Sequence, residues 1–127
     1  MKVEKYIAIG VGAVLGAYCR HGVGVFSVQR WGPTFPWGTL LANLAGSFVL
    51  GIFLSLHLDR GLFTPGVRYF VAVGFCASFT TYSTFSWETV RYLQEGNFWI
   101  AAANVAANLF GCLLAVWGGL MASRLLG

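Results

Sequence analysis

Apolar residues run through most of the chain in four long stretches, and short connections between them hold most of the charged and turn-forming residues. A bilayer core of about 30 Å is crossed by roughly 20 apolar residues in a helix, and each stretch reaches that length. Because lipid cannot satisfy open backbone groups, each stretch is predicted to be helical. The sequence thus predicts a single four-helix transmembrane domain over residues 1–127, with helices at 6–26, 37–58, 67–92 and 98–122.

The third stretch is more polar than the others. Six of the ten residues from Ala77 to Ser86 are Ser or Thr, and Tyr82 adds another hydroxyl. Clustered Ser and Thr side chains bond to backbone carbonyls and bend or break helices, so a break is predicted near residues 77–80. A break exposes backbone groups within the membrane, as at transporter sites. Carbonyls there would suit a small cation, and hydroxyl or amide donors an anion.

Two further stripes of polar side chains recur every four residues, on the second and fourth predicted helices. Residues at this spacing share one helix face. Two interpretations remain open: interhelical hydrogen bonds that hold the bundle together, or the lining of a polar path. The stripes are Thr39, Asn43 and Ser47, and Asn104, Asn108 and Cys112.

Composition supports the membrane assignment. Only 9% of residues are charged, whereas soluble domains carry about 25%. The net charge of +4 is diffuse, and no basic patch interleaved with aromatic residues predicts a nucleic-acid partner.

The first stretch does not resemble a cleaved signal peptide, because its start contains an acid and no Ala-x-Ala site follows it. It is predicted to remain as the first helix.

Lys and Arg residues divide five to three between the two sides of the predicted bundle. Since positive charge in short loops sets orientation, this weak bias leaves open either a fixed orientation with both termini inside or insertion in both orientations.

Four helices make a thin bundle, and Gly12 and Gly16 favour close packing. A second copy of the chain is therefore expected to cover the polar stripes, as a homodimer.

Aromatic residues beside the hydroxyl run are candidates for contact with an anion. Tyr82 and Phe85 are three residues apart and share a helix face, and ring edges carry positive partial charge. The alternative is that these rings and Phe79 only pack beside a kink.

Glu88, one turn beyond Phe85, either caps a path or is a solvated helix-end carboxylate. Arg20 either extends toward headgroups or attracts anions into a vestibule.

Enzymatic chemistry finds no support in the sequence. It contains no Ser/His/Asp set, no His-x-x-x-His pair and no Walker-type loop. Cys19, Cys76 and Cys112 are widely spaced within predicted helices, which is typical of packing residues rather than of metal ligands. The chain is predicted not to be an enzyme.

These motifs resemble those of the Fluc/CrcB family of small fluoride channels. Residues 80–86, Thr-Thr-Tyr-Ser-Thr-Phe-Ser followed by Glu88, are similar to the family's Thr-Thr-Phe-Ser-Thr-Phe-Ser signature. Residues 38–46 resemble its Gly-Thr-Leu-x-x-Asn-x-x-Gly motif, and residues 16–20 its Gly-x-x-x-Arg pattern. Motif order, length and helix number agree over essentially the whole chain.

The resemblance implies an antiparallel, dual-topology homodimer in a bacterial-type inner or plasma membrane. It would contain two fluoride pores that passively export cytoplasmic fluoride. It also implies a structural sodium ion (Na+) at the dimer centre, bound by main-chain carbonyls at Ala77 and Thr80 of each subunit. Ala77-Ser78 stands where the family commonly has Gly-Gly, and Tyr82 replaces its usual Phe.

The resemblance also implies roles for side chains. Asn43 would donate to fluoride, and the rings at positions 82 and 85 would line the pore. The expected pore residues are Asn43, Tyr82, Ser83, Thr84, Phe85, Asn108 and Cys112. The expected vestibule or supporting residues are Arg20, Thr39, Glu88 and Asn104.

Two other functions compete with a channel. A small proton-coupled exporter of lipophilic cations requires a carboxylate embedded in the membrane, and the first two predicted helices contain no Asp or Glu. A non-transporting accessory subunit would use the polar stripes only to join helices.

Overall fold

The computed structural model describes residues 2–126, and helices form nearly all of that range, without a strand. Three helices are long and apolar enough to cross a membrane: α1 (Lys2–Trp31), α2 (Trp37–Arg60) and α6 (Phe98–Leu125). The α1 helix extends beyond the predicted 6–26 at both ends. It is followed by Gly32, whose φ of 77° does not continue a right-handed helix.

The third predicted stretch consists of several helical pieces. These are α3 (Pro65–Arg68), a π-helical stretch (Tyr69–Cys76), α4 (Ala77–Phe79) and α5 (Tyr82–Gln94). Thr80 and Thr81 lie between α4 and α5 with extended backbone, at φ/ψ of −84°/158° and −152°/125°. Ala77 is helical, at −64°/−31°. No non-glycine residue in the described range has positive φ, so the chain passes this point without left-handed strain.

Glycines bring the helices together in two places. A Cβ on Gly12 of α1 would lie 3.0 Å from the backbone nitrogen of Phe75, and Gly74 meets the same region of α1 from the other side. A Cβ on Gly119 of α6 would lie 2.9 Å from the nitrogen of Ile52 on α2, and Gly51 faces the backbone of α6. Such contacts let helix backbones approach closely where lipid gives little hydrophobic driving force.

Most buried residues are small or polar, with Leu40, Phe53 and Phe79 as large exceptions, whereas many large apolar side chains are exposed. Trp99 is 89% exposed and Leu113 63% exposed, as expected for a surface that meets lipid or a partner. Phe79 is buried and stacks on Phe75, which agrees with the packing alternative for that ring. The cysteines are free thiols: Cys76 is buried, but Cys19 is exposed on the surface of the single chain.

Candidate functional site

Asn43 of α2 binds the residue that precedes α5. Its Oδ1 accepts the Thr81 N–H at 2.7 Å, and its Nδ2 donates to the Thr81 carbonyl at 3.0 Å. Both backbone groups of Thr81 are thereby satisfied by one amide, although no helix continues through this point. Thr81 also caps α5, because its hydroxyl accepts the Thr84 N–H at 3.2 Å.

The same amide joins the two polar stripes. Asn43 Nδ2 donates to Asn108 Oδ1 at 2.9 Å, and Asn108 Nδ2 donates to both oxygens of Asn104 at 2.9 Å. Asn104, which is fully buried, donates to the Thr89 hydroxyl at 3.0 Å. The stripes therefore form interhelical hydrogen bonds.

A groove of about 470 Å³ runs along these residues and brings five of the seven predicted pore residues together. Beside apolar positions, its lining comprises Asn43, Ser47, Thr80, Thr81, Tyr82, Phe85, Asn108 and Cys112. The polar stripes thus both join helices and line a cavity. Among the described residues, no acidic or basic side chain lines this groove.

Two aromatic rings stand at the groove. The centroids of Tyr82 and Phe85 are 5.5 Å apart, and the ring planes are tilted by 57°. Tyr82 is 80% exposed, so most of its ring is available to contact a neighbouring molecule. Because the two ring planes are tilted, part of each ring edge, which carries positive partial charge, does not contact the other ring.

Ser83 and Thr84 do not line the groove. The Ser83 hydroxyl is 3.4 Å from the Thr81 hydroxyl, and Thr84 accepts a bond from Thr81 at 3.2 Å. Thr84 instead lines a second cavity of about 710 Å³, together with Arg20 and Thr39. Of the predicted pore residues, five line the groove, Thr84 lines the second cavity, and Ser83 lines neither; the two cavities share Thr81.

Arg20 and Glu88 are both held by neighbours. Arg20 Nε donates to the Ser78 carbonyl at 3.1 Å, so this side chain ties α1 to α4 while lining the second cavity. Thr39 donates a hydrogen bond to the Glu88 carboxylate, which is only partly exposed. Glu88 therefore has a protein partner in α2 and is not simply a solvated helix-end group.

The carbonyls of Ala77 and Thr80 lack their usual helical donors. In a continuous helix they would accept the N–H groups of Thr81 and Thr84, four residues later. Those N–H groups donate instead to Asn43 Oδ1 and to the Thr81 hydroxyl. Within the described residues, these two carbonyl oxygens therefore lack their helical N–H donors, and oxygen is the ligand type that hard cations prefer. Side chains offer no alternative: no group of three or more His, Cys, Asp or Glu residues in the described range could hold a metal.

The sequence-based site omitted three residues that the structure places in it. Ser47 lines the groove, Thr81 contacts both cavities, and Thr89 continues the amide contacts. Ser47 shares a helix face with Asn43, and that spacing was the available signal. Thr81 lies within the signature at residues 80–86, whereas Thr89 lies beyond the hydroxyl-rich run and had no sequence signal.

Comparison with known proteins identifies first the class of this protein and then its family. Its long apolar helices, and its similarity to proteins named as ion channels, define it as a multi-pass membrane protein. The family model "CrcB-like protein, Camphor Resistance (CrcB)" matches residues 7–120, so the chain belongs to the CrcB family. The resemblance seen in the sequence is confirmed.

Several relatives match nearly end to end. One from Koribacter versatilis, named "Fluoride-specific ion channel FluC", is 42% identical over 118 residues, covering 93% of this chain and 94% of the relative. Proteins with the same name are 40% identical over 124 residues in a Sulfurihydrogenibium species and 38% identical over 120 residues in Geobacter sulfurreducens. Those alignments cover 98% and 93% of this chain, and 100% and 95% of the relatives.

Proposed function

We propose that this protein is a fluoride-specific channel that passively exports cytoplasmic fluoride. The observation that carries the proposal is the groove, which combines amide and hydroxyl groups with two aromatic rings and has no charged side chain in its described lining. Fluoride is small and strongly hydrated, so a pore must replace its water with many donors. Neutral donors and ring edges attract the anion without the deep trap that a buried Lys or Arg would form.

Asn43 is the proposed principal donor. Both of its N–H groups are engaged, with the Thr81 carbonyl and Asn108 Oδ1. Contact with fluoride therefore exchanges one of these bonds for a bond to the anion. Such an exchange keeps the number of hydrogen bonds constant, which favours passage over tight binding.

The remaining pore residues divide by location. Phe85 and Tyr82 present ring edges in the groove, and Cys112 offers a weak thiol donor further along it. Thr84 lines the second cavity, and the Ser83 hydroxyl lies 3.4 Å from that of Thr81; both hydroxyls would continue the donor track. Arg20 and Thr39 line that cavity, which would be the vestibule, and Glu88 fixes the Thr39 hydroxyl.

The proposed working unit is an antiparallel homodimer with two pores. Its support is the exposure of the groove and of Tyr82 on the single chain, which leaves one wall of the path to be supplied by another molecule. The weak five-to-three division of Lys and Arg permits both orientations in one membrane.

A structural sodium ion is proposed at the centre of that dimer. The Ala77 and Thr80 carbonyls of each subunit would bind it, because their helical N–H partners donate elsewhere. When bound, the ion would supply positive charge that neutralises four carbonyl dipoles and joins the two interrupted helices.

Efflux from liposomes tests the proposal. Purified protein in liposomes loaded with fluoride or chloride is diluted into ion-free buffer with valinomycin, and external anion is followed with selective electrodes. We expect rapid fluoride efflux, little chloride efflux and no dependence on a proton gradient. Proton-coupled transport of a lipophilic cation would favour the exporter. A folded dimer that releases no fluoride would favour the accessory subunit.

A further inference from the structure

Five hydrogen bonds connect the start of α5 to its own second turn through two other helices. The Thr81 N–H donates to Asn43, Asn43 to Asn108, and Asn108 to Asn104. Asn104 then donates to Thr89, whose hydroxyl donates to the Phe85 carbonyl at 2.8 Å. We call this set the amide chain. All of its donors point in the same direction, from Thr81 toward Phe85.

The direction of the amide chain is fixed at both ends by backbone chemistry. A backbone N–H can only donate and a backbone carbonyl can only accept, so Thr81 and Phe85 cannot reverse. Between them, each side-chain amide must accept at its oxygen and donate at its nitrogen in the same sense. A single flipped amide would place two oxygens or two NH2 groups against each other. The chain therefore links the orientations of three amides. Asn43 is held in addition by both backbone groups of Thr81, and Asn108 by the Asn104 backbone carbonyl.

This direction decides which amide offers N–H groups near the groove. Asn108 presents its oxygen to Asn43, and its Nδ2 is directed at Asn104. Together with the Thr81 N–H, which donates to Asn43 Oδ1, this oxygen directs the Asn43 NH2 group between Asn108 and the Thr81 carbonyl. If Asn108 turned over, its NH2 would face the NH2 of Asn43 and repel it from this position.

We infer that Asn104 and Thr89 are positioning residues, which act through Asn108 to hold the Asn43 amide in the orientation that donates to the anion. The inference rests on the proposed fluoride conduction. Thr89 directs its own hydrogen to the Phe85 carbonyl, which leaves its oxygen lone pairs to accept from Asn104. Asn104 transmits that direction from a fully buried position. Neither residue lines the groove.

Substitution at Thr89 separates positioning from packing. Thr89→Val keeps the shape but removes the hydroxyl, so Asn104 loses its acceptor. We expect fluoride efflux at low concentration to fall about tenfold, the size of effect typical when a buried donor, here the Asn104 amide, loses its acceptor. The concentration for half-maximal efflux should rise, whereas the maximal rate should change less. Thr89→Ser restores the hydroxyl and should return both values to within about twofold of the wild type.

A control and a double variant make the test specific. Ser86 also bonds to the carbonyl four residues before it on α5, at 2.9 Å, but outside the amide chain. Ser86→Ala should leave efflux within about twofold of the wild type. Combining Thr89→Val with Asn104→Ala should lower efflux no further than the worse single variant, because both cut the same chain. Wild-type efflux in Thr89→Val, failed rescue by serine, or additive losses would each overturn the inference.

Side-chain amide NMR tests the positioning without transport. In nanodiscs, Thr89→Val should shift the Asn43 side-chain NH2 resonances, although Asn108 and Asn104 separate the two residues in the chain. Unmoved Asn43 resonances would overturn the inference. If the wild-type protein passes no fluoride but the resonances move, the proposed function fails while the directed amide chain stands.

Discussion

Replacing Asn43 by alanine removes the amide that satisfies both backbone groups of Thr81, between α4 and α5. Asn43 is 8% exposed and makes three hydrogen bonds, to the N–H and carbonyl of Thr81 and to Asn108. Alanine can make none of them. The change therefore affects both the proposed anion donor and the backbone just before α5, which contains Phe85.

The magnitude follows from the groups left without partners. A buried polar group that loses its hydrogen bond costs about 1–3 kcal/mol. The two Thr81 bonds are only partly buried, so water in the groove can replace them and about 1 kcal/mol each is appropriate. The bond to Asn108 is buried, so its loss is expected to cost between about 1 and 3 kcal/mol. The total is about 3–5 kcal/mol, which corresponds to a more than hundredfold loss in the equilibrium that favours the native arrangement around Thr81.

The assay is fluoride efflux from liposomes, together with the thermal unfolding midpoint of the purified protein. We expect Asn43→Ala to reduce efflux at least a hundredfold and to lower the unfolding midpoint. Asn43→Asp should conduct still less, because its carboxylate adds repulsion for the anion and has no N–H.

Ser55→Ala is the matched control on the same helix. Ser55 is also buried and hydrogen-bonded, at 2.7 Å from Ser123 and 3.0 Å from Asp59, but it lies outside both cavities. Its loss should lower stability while efflux persists. Wild-type efflux in Asn43→Ala, or an equal loss of efflux in Ser55→Ala, would refute the donor role.

Three further outcomes are expected. Phe85→Ile keeps bulk in the groove but removes the ring edge, so efflux should fall at least tenfold while gel filtration still shows a dimer; unchanged efflux would remove the ring-edge role. Prolonged dialysis into sodium-free buffer should abolish efflux, and sodium should restore it, whereas sodium-independent efflux would contradict the carbonyl site. Gly119→Ala places a Cβ against the Phe48 carbonyl and should destabilise the bundle by about 1–3 kcal/mol, measured by denaturation. Gly118→Ala, whose Cβ would meet only the Phe48 ring at 3.9 Å, is its control and should be nearly neutral.

The long helices could be predicted because their cause is local. Length and hydropathy alone identify α1, α2 and α6, and the density of Ser and Thr marks the region where Thr80 and Thr81 are extended. The π-helical stretch from Tyr69 to Cys76 had no such signal. It packs on α1 at Gly12 and Gly74, and this contact depends on two segments distant in sequence.

Predicting the site was harder because it depends on helix register. Spacing placed Asn43 on one stripe and Asn108 on another, but no property of either stripe shows that the two face each other. That register is set where Gly51 and Gly119 let α2 and α6 approach. Spacing also could not show that Asn108 uses its NH2 group on Asn104, which leaves its oxygen toward Asn43.

The interruption between α4 and α5 is a product of three helices rather than of its own sequence. Asn43 from α2 satisfies both backbone groups of Thr81, and Arg20 from α1 satisfies the Ser78 carbonyl. Each of these bonds offsets the cost of an open backbone group inside the membrane. The Ala77 and Thr80 carbonyls are left without their helical donors, and this is the observation that supports the proposed sodium site. An isolated peptide of this segment would lose the partners from α1 and α2, so it should close into a continuous helix in micelles, which solution NMR can measure.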